Sequence, residues 1–298
     1  DFVSTAPYST TITGNSTGRA NIVASGLKTG NQICVSNAAL ITVPTPSWFQ
    51  TRGGNVGAKG SLSSIIPGGK LFGVDPAGVA AHGGSISGIT PDNVSSTKWL
   101  VDSAVSNRVL TNSSYAGLKR RVLDVVTPTS LSGSTLSQGD ISSAPAASDG
   151  VAYLSAAGDL TISPSGNLGS QKVVVLVDGN VTLAKPITFS TGGLFVLLAG
   201  GNITVDPAVG EVGDPSTRPA DFMGIYLAQG TVDTGADPAG KTLGWAGAVI
   251  GLGGVNLQRA ATPPATSPAE YFVARPDLQF SLPSSLLRQY TVFTETNP

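Results

Sequence analysis

Five segments between residues 150 and 257 can be laid over one another on a recurring glycine, and this repeat restricts the chain to a stack of coils. The segments are VAYLSAAGDLTI (151–162), VVVLVDGNVTL (173–183), LFVLLAGGNITV (194–205), GIYLAQGTVDT (224–234) and AVIGLGGVNL (248–257). The aligned glycines are Gly158, Gly179, Gly201, Gly230 and Gly253, at intervals of 21, 22, 29 and 23 residues. A period in the twenties marks a solenoid.

The columns carry the physical argument. Two positions after the glycine stand Leu160, Val181, Ile203, Val232 and Val255; four after it stand Ile162, Leu183, Val205, Thr234 and Leu257. Before it run Leu176, Leu198, Leu227 and Ile250, and then Val174, Val196, Ile225 and Ala248. The intervening positions after the glycine are polar (Asp159, Asn180, Asn202, Thr231; then Thr161, Thr182, Thr204, Asp233, Asn256). Alternation of period two means strands with one buried face. Stacking such coils sets like on like, about 4.8 Å apart, in parallel ladders.

One coil reads as a strand (173–177), a corner at Asp178-Gly179-Asn180, a second strand (181–183), a turn at Lys185-Pro186 and a third strand (187–189). The corner glycine is expected to supply backbone dihedrals that other residues resist. This is the plan of an all-β, right-handed parallel β-helix with about 21–23 residues per coil; handedness follows the usual right-handed crossover. The 29-residue interval holds a Pro- and Gly-rich insertion, 206–221, expected as a surface loop. The fainter rungs GGNVGAKGSLSS (53–64) and GVAAHGGSISG (78–88) are expected to begin the same helix.

Residues about 90–149 are then a short, partly helical excursion: Leu100, Val101, Ala104, Val105 and Val109 keep rough helical spacing, as do Tyr115, Leu118, Val122 and Val126. Three units result: an N-terminal β unit or cap (1–46), the β-helix (47–268) and a C-terminal cap or strap (269–298). The first unit reads as four short strands, 9–13, 20–24, 32–35 and 40–43. One strand is apolar on both faces, with Val175, Leu197, Tyr226 and Val249 as its alternate column. Such a strand is covered on both sides, either by the excursion or C-terminal segment or by a neighbouring subunit; this column is the candidate packing or assembly face.

Charged residues are 12% of the chain, Glu occurs three times, and the formal net charge is −1. Long exposed helices, which need Glu, Lys and Arg, suit this mix poorly. Lys119-Arg120-Arg121 is the one basic cluster, and it reads as a helix face rather than a nucleic-acid patch. Cys34 is the only cysteine, which excludes an intrachain disulfide and a CxxC metal site and reads as a small buried apolar residue. The longest apolar run, 194–199, is far short of a transmembrane segment. The chain starts at Asp1, which reads as a processed end or a fragment.

No catalytic constellation is legible. His82 is the only histidine, no two carboxylates are adjacent, and no GxSxG motif occurs. Asp206, Glu211 and Asp214 in the insertion are the candidate calcium site, weighed against an ordinary solvated loop. Asp233 and Asp237 form a weaker pair. Of five N-x-S/T sequons, at Asn15, Asn93, Asn112, Asn180 and Asn202, the last two share one outward column and are the candidate glycosylation sites.

Trp48-Phe49-Gln50 followed by Gly53-Gly54-Asn55-Val56, the LVDGNVTL and LLAGGNITV rungs, GIYLAQGTVDTG, LGWAGAVIGLGGVNLQRA and AEYFVARPDLQFSLP together resemble a family of uncharacterised exported parallel β-helix surface proteins of candidate phyla radiation (Patescibacteria-type) bacteria. The resemblance runs from about residue 44 to the C-terminus. It implies an extracellular or cell-surface location and a structural or adhesive role, and it supplies no catalytic residues. The expected function is a structural surface protein that self-assembles into a filament or sheath, its partners being copies of itself or other envelope proteins. The alternatives are a carbohydrate-binding or adhesive module using the Thr and Asn rows or Trp99, and a polysaccharide lyase or hydrolase with paired carboxylates.

Overall fold

The computed structural model describes residues 50–54, 114–236, 239–259 and 268–287 with their side chains, and between residues 18 and 102 the backbone of the strands named here. Two antiparallel pairs come first: β1 (Gly18–Ile22) with β4 (Ala39–Val43), and β2 (Ser25–Lys28) with β3 (Gln32–Val35). Parallel coils follow. β5 (Phe49–Arg52), β8 (Leu71–Val74) and β11 (Val94–Ser95) stack on one side. β6 (Val56–Ala58), β9 (Val79–His82) and β12 (Leu100–Asp102) stack on a second, and β7 (Leu62–Ser63) with β10 (Ile86–Ser87) on a third.

The later coils form two long parallel sheets, and the molecule is a β-solenoid of about six turns. The first wall runs β13 (Thr129–Ser130), β15 (Val151–Ala156), β17 (Lys172–Val177), β19 (Leu194–Ala199), β22 (Phe222–Ala228), β24 (Lys241–Gly251) and β26 (Glu270–Val273). The second wall runs β14 (Thr135–Ser137), β16 (Leu160–Ser163), β18 (Val181–Leu183), β20 (Ile203–Val205), β23 (Thr231–Asp233) and β25 (Gly254–Asn256). The registers are those of the repeat: Leu176, Leu198, Leu227 and Ile250 are successive partners, as are Val181, Ile203, Val232 and Val255. Val181, Ile203 and Val232 are at most 1% exposed, so they form one continuous aliphatic column. Val255 stacks on Val232 yet is 42% exposed, because β25 is the last strand of its sheet.

Three expectations change. The third strand of the coil is not regular. Ile187 makes an isolated bridge to Phe222, and Leu168 and Ser190 exchange backbone bonds with Thr188 and Gly169. Ile187 and Phe189 are buried nonetheless. Leu100–Asp102 is a strand paired with Val79–Ala81, not a helix; a short apolar run satisfies either period, and the neighbouring strand decides.

The third correction concerns order. The early coils do not precede the later ones. β5 pairs with β26, so the wall reads β11-β8-β5-β26-β24 and onward to β13. The C-terminal strand is thus an internal rung, and residues 49–52 cover the edge it would otherwise present.

Helix α1 (Tyr115–Leu123) carries out the helical spacing at 115–126, with Tyr115 and Val122 buried. It lies against β19 and against the C-terminal turn α4 (Ser284–Leu287), which α3 (Asp277–Ser281) precedes; α2 (Gln138–Ser143) comes before β15 and contacts β14. Tyr115 Oη donates to Asp178 (2.7 Å), and its backbone N–H donates to Gln229 Oε1 (2.9 Å). Tyr153 Oη donates to Asp149 (2.6 Å) and lies 3.2 Å from Ser285 Oγ, tying α4 to the wall.

The corner glycines work by space rather than by dihedral freedom. None of Gly158, Gly179, Gly201, Gly230 and Gly253 has a positive φ. A Cβ at Gly179, Gly201 or Gly230 would stand 2.3, 2.5 or 2.1 Å from the side-chain oxygen of Asp159, Asn180 or Asn202 in the preceding coil. At Gly158, the first of the column, nothing lies within 4 Å. Gly158→Ala is therefore expected to leave thermal stability unchanged. Gly179→Ala, which also meets backbone at 2.7 Å, should lose about 1–3 kcal/mol, the usual cost of overpacking. Chemical denaturation of the two variants side by side checks this; equal stabilities would refute it.

Candidate functional site

The outer polar row at the corner is a hydrogen-bonded ladder. Asp159 Oδ1 accepts from the backbone N–H of Asn180 (2.7 Å), Asn180 Oδ1 from that of Asn202 (2.9 Å), and Asn202 Oδ1 from that of Thr231 (2.8 Å). Each side chain thus satisfies a backbone donor one coil ahead, where the corner interrupts the sheet ladder. Both sequon asparagines, Asn180 and Asn202, are exposed, with their carbonyl oxygens turned into this ladder. Asn180 Nδ2 also donates to Asp159 (3.2 Å). Asn15, Asn93, Asn112, Asp237 and Trp99 lie outside the described residues, and of His82 and Cys34 only the backbone, in β9 and β3, is described.

The calcium candidate is not assembled. Asp206 Oδ1 accepts from Ala208 N and Asp214 Oδ1 from Ser216 N and Oγ, so each carboxylate closes its own turn. Glu211 sits exposed in β21 (Glu211–Val212), which pairs antiparallel with Lys241–Thr242. Among the described residues no three His, Cys, Asp or Glu side chains gather around a point that could hold a metal ion. The physical reason is local: in a Pro- and Gly-rich insertion, Asp side chains bond the backbone two residues on. Asp233 behaves likewise, accepting from Gly235 N and from Gln258 Nε2. The insertion is also held down: Arg218 pairs with buried Asp221 (2.7 Å), whose other oxygen accepts from Gly244 N (2.8 Å).

The two-faced strand is covered by its own chain, but the face that α1 and α4 cover is that of Tyr153, Val174 and Val196, so the expected assembly column points into the tube. Val175, Leu197 and Tyr226 are at most 1% exposed and Val249 is half-buried, in register across β17, β19, β22 and β24. Towards β26 this inner face becomes aromatic. Phe222 lies 4.6 Å from Trp245, Tyr226 meets Trp245 edge-on at 5.3 Å, and Phe272 stacks on Trp245 at 6.1 Å. Gly224 and Gly247, with φ of 128° and 138°, stack between these rings. A Cβ at either would strike the previous rung's backbone, at 2.3 and 1.9 Å.

One buried polar group stands where β26 meets the rest of the tube. The inner column Ile162, Leu183, Val205 ends in Thr234, which is fully buried. Its hydroxyl donates to Glu270 Oε1 (2.8 Å) and accepts from Gln258 N (2.8 Å). Arg259 N also donates to Glu270 Oε1 (3.1 Å). The buried Arg259 guanidinium donates to the carbonyls of Thr234, Pro207 and Asp206. Glu270 Oε2 has no hydrogen-bond partner among the described residues. Burial raises the Glu270 carboxyl from 4.5 to about 7, against the opposing pull of Thr234 and Arg259. The sequence showed half of this, since Thr234 breaks an otherwise aliphatic column. That Glu270 would enter the tube beside it follows only from where β26 docks.

A shallow groove on the irregular wall, lined by Pro164, Asn167, Lys185, Pro186 and Thr188 among others, encloses about 410 Å³. Its Asn167 amide donates to Thr188 Oγ1 and its carbonyl accepts from Gly169 N and Ser190 Oγ, so these polar atoms are engaged with one another. Comparison with protein-family models, with curated proteins and with solved structures finds no significant match. No helix among the described residues is long and apolar enough to cross a membrane.

The buried carboxyl has a pH consequence. Because its folded pKa lies above the ordinary value, the folded state holds a proton that the unfolded state releases between pH 4.5 and about 7. Stability is then full below that window, falls by at most about 3 kcal/mol across it, and is flat above. Glu270→Gln should flatten this decline and raise the melting temperature at pH 8 but not at pH 4. Melting curves of both proteins at the two pH values test it, and an unchanged slope in the variant would refute it.

Proposed function

We propose that this chain is a structural protein of the cell exterior, a solenoid module that serves as a building element of a surface assembly. The carrying observation is how its polar and apolar side chains are used. The aliphatic columns fill the tube. The Asp159–Asn180–Asn202–Thr231 row ties coil to coil, and both faces of the main wall are packed by the chain itself. Such a tube is stiff from β13 to β25, where each coil is joined to the next by backbone ladders on two walls. Open strand edges, rather than packed faces, are the natural joining surfaces. The second wall terminates at β25 with Val255 partly exposed, and a strand edge invites a further strand.

The exterior location is supported by the resemblance to exported surface β-helices and by a composition rich in Gly, Ser and Thr and poor in charge. Self-assembly into a filament or sheath is the finer form of the reading. Electron microscopy of the native material, with light scattering of the purified chain, is expected to show extended assemblies that grow with concentration. A protein that stays monomeric in concentrated solution and appears as isolated particles on the native surface would overturn it.

A further inference from the structure

The order of strands in the main wall points to a second copy of this chain as a partner. The coils at residues 49–102 and those at 129–273 are separate in sequence and joined in space by one strand pair. In that pair Glu270, Tyr271, Phe272 and Val273 of β26 face Phe49, Gln50, Thr51 and Arg52 of β5. Around it, Ala274 N donates to Arg52 O (2.9 Å), Thr51 is buried, and a Cβ at Gly54 would stand 3.6 Å from Ala274 Cβ. From β13 to β24 consecutive coils are joined through two walls, whereas β26 is joined to β24 through the first wall alone. At the β5–β26 seam, too, only the first wall continues: β25 ends the second one, and β6 belongs to a different sheet. The seam, like the β24–β26 junction, is thus held by four register pairs of one wall, and local opening follows sparsely joined levels.

Only one covalent crossing, residues 103–114, links the early coils to α1. From Asp102 to Tyr115 the chain can span about 44 Å at full extension. The six rungs between the level of β11 and that of β19, where α1 lies, require about 29 Å along the axis. The chain length between Asp102 and Tyr115 thus exceeds the span required, and the β26 edge offers an identical neighbour's β5 the same register pairs as the chain's own. We propose that the coils of residues 49–102 exchange between chains, docking β5 on β26 of a second copy and so joining solenoids end to neighbour. Every contact of the seam is preserved in the exchanged form, so the balance is set by concentration and tether reach. This deepens the structural reading above and depends on it for biological use, not for geometry.

The test uses the full chain with Cys34→Ser as background and a short bismaleimide cross-linker. Arg52→Cys and Val273→Cys, a register pair across the seam, are placed together on one chain and separately on two differently tagged chains. Thr182→Cys and Thr204→Cys, a register pair inside the continuous tube, form the control. The double seam variant should cross-link within the chain. Mixed single seam variants, concentrated together or refolded together, should lose their monomer bands to a covalent heterodimer that increases with concentration, while the mixed control stays monomeric. The proposal is overturned if the double variant closes within the chain but the mixed variants never join, if seam and control mixtures join equally, or if the double variant fails to close at all. Native fibres without a seam heterodimer would remove strand exchange and leave the structural reading. A heterodimer from a protein that forms no surface assembly would do the reverse.

Discussion

Everything in this molecule depends on equivalent residues of successive coils sitting directly over one another at the spacing of a parallel ladder, about 4.8 Å. That spacing is what makes Val181, Ile203 and Val232 a continuous column and closes water out of a narrow tube. It also brings Asn180 Oδ1 within 2.9 Å of the next coil's backbone donor at Asn202, and it leaves no room for a Cβ at Gly179 or Gly201. Ladder and glycine are two sides of one constraint. The asparagine carbonyl can reach the following coil only where the corner residue has no side chain.

A stack of this kind has a surplus of apolar surface and two unsatisfied ends, and the rest of the chain deals with both. The outer face of the main wall, the side of Tyr153, Val174 and Val196, is covered by α1 and the C-terminal turn α4, anchored through Tyr115 to Asp178 and Tyr153 to Ser285, while Leu197 and Tyr226 face the tube interior. Burial together with the bond to Asp149 pushes the Tyr153 phenol up to about 12, so this anchor keeps its proton across the physiological range. At one end α2, with a capping box between Ser137 and Asp140, places Ile141 near Leu136, both buried. The other end is treated differently: β26 is not a lid but a rung, and the N-terminal coils are laid on top of it. The carboxyl of Glu270 is carried into the tube at that point, where Thr234 and the Arg259 backbone meet one oxygen and leave the other without a partner among the described residues. A rung that holds an imperfectly satisfied acid and joins its neighbour through one wall is the least secure level of the stack.

The glycine-anchored alignment was enough to place the strands before and after each corner. It also set the partners in every column from β17 to β25, because period two and a coil repeat together determine the register. The helical spacing of Tyr115 and Val122 was legible for the same reason, as was the burial of both faces of the strand, but not which face the helix covers: it is that of Val174 and Val196, not that of Val175, Leu197 and Tyr226. Other features were hidden. The third side of the coil has too few backbone pairs to be a strand, although Ile187 and Phe189 are apolar and buried. The acidic residues of the insertion looked like ligands in sequence, yet Asp206 and Asp214 each bond the backbone two residues on. The corner glycines were read as conformational devices and are steric ones, a distinction that depends on what the preceding coil places beside them.

By itself the sequence determined the architecture of a coil: a repeat in the twenties with alternating polarity admits few folds other than a parallel tube, since only stacking buries its aliphatic columns. The tertiary structure decided the order in which the coils are stacked. Local patterning specifies how one strand lies beside its equivalent, but β5 and β26 are not equivalents in any repeat, and their partnership is settled by which open edge is within reach once everything else has folded.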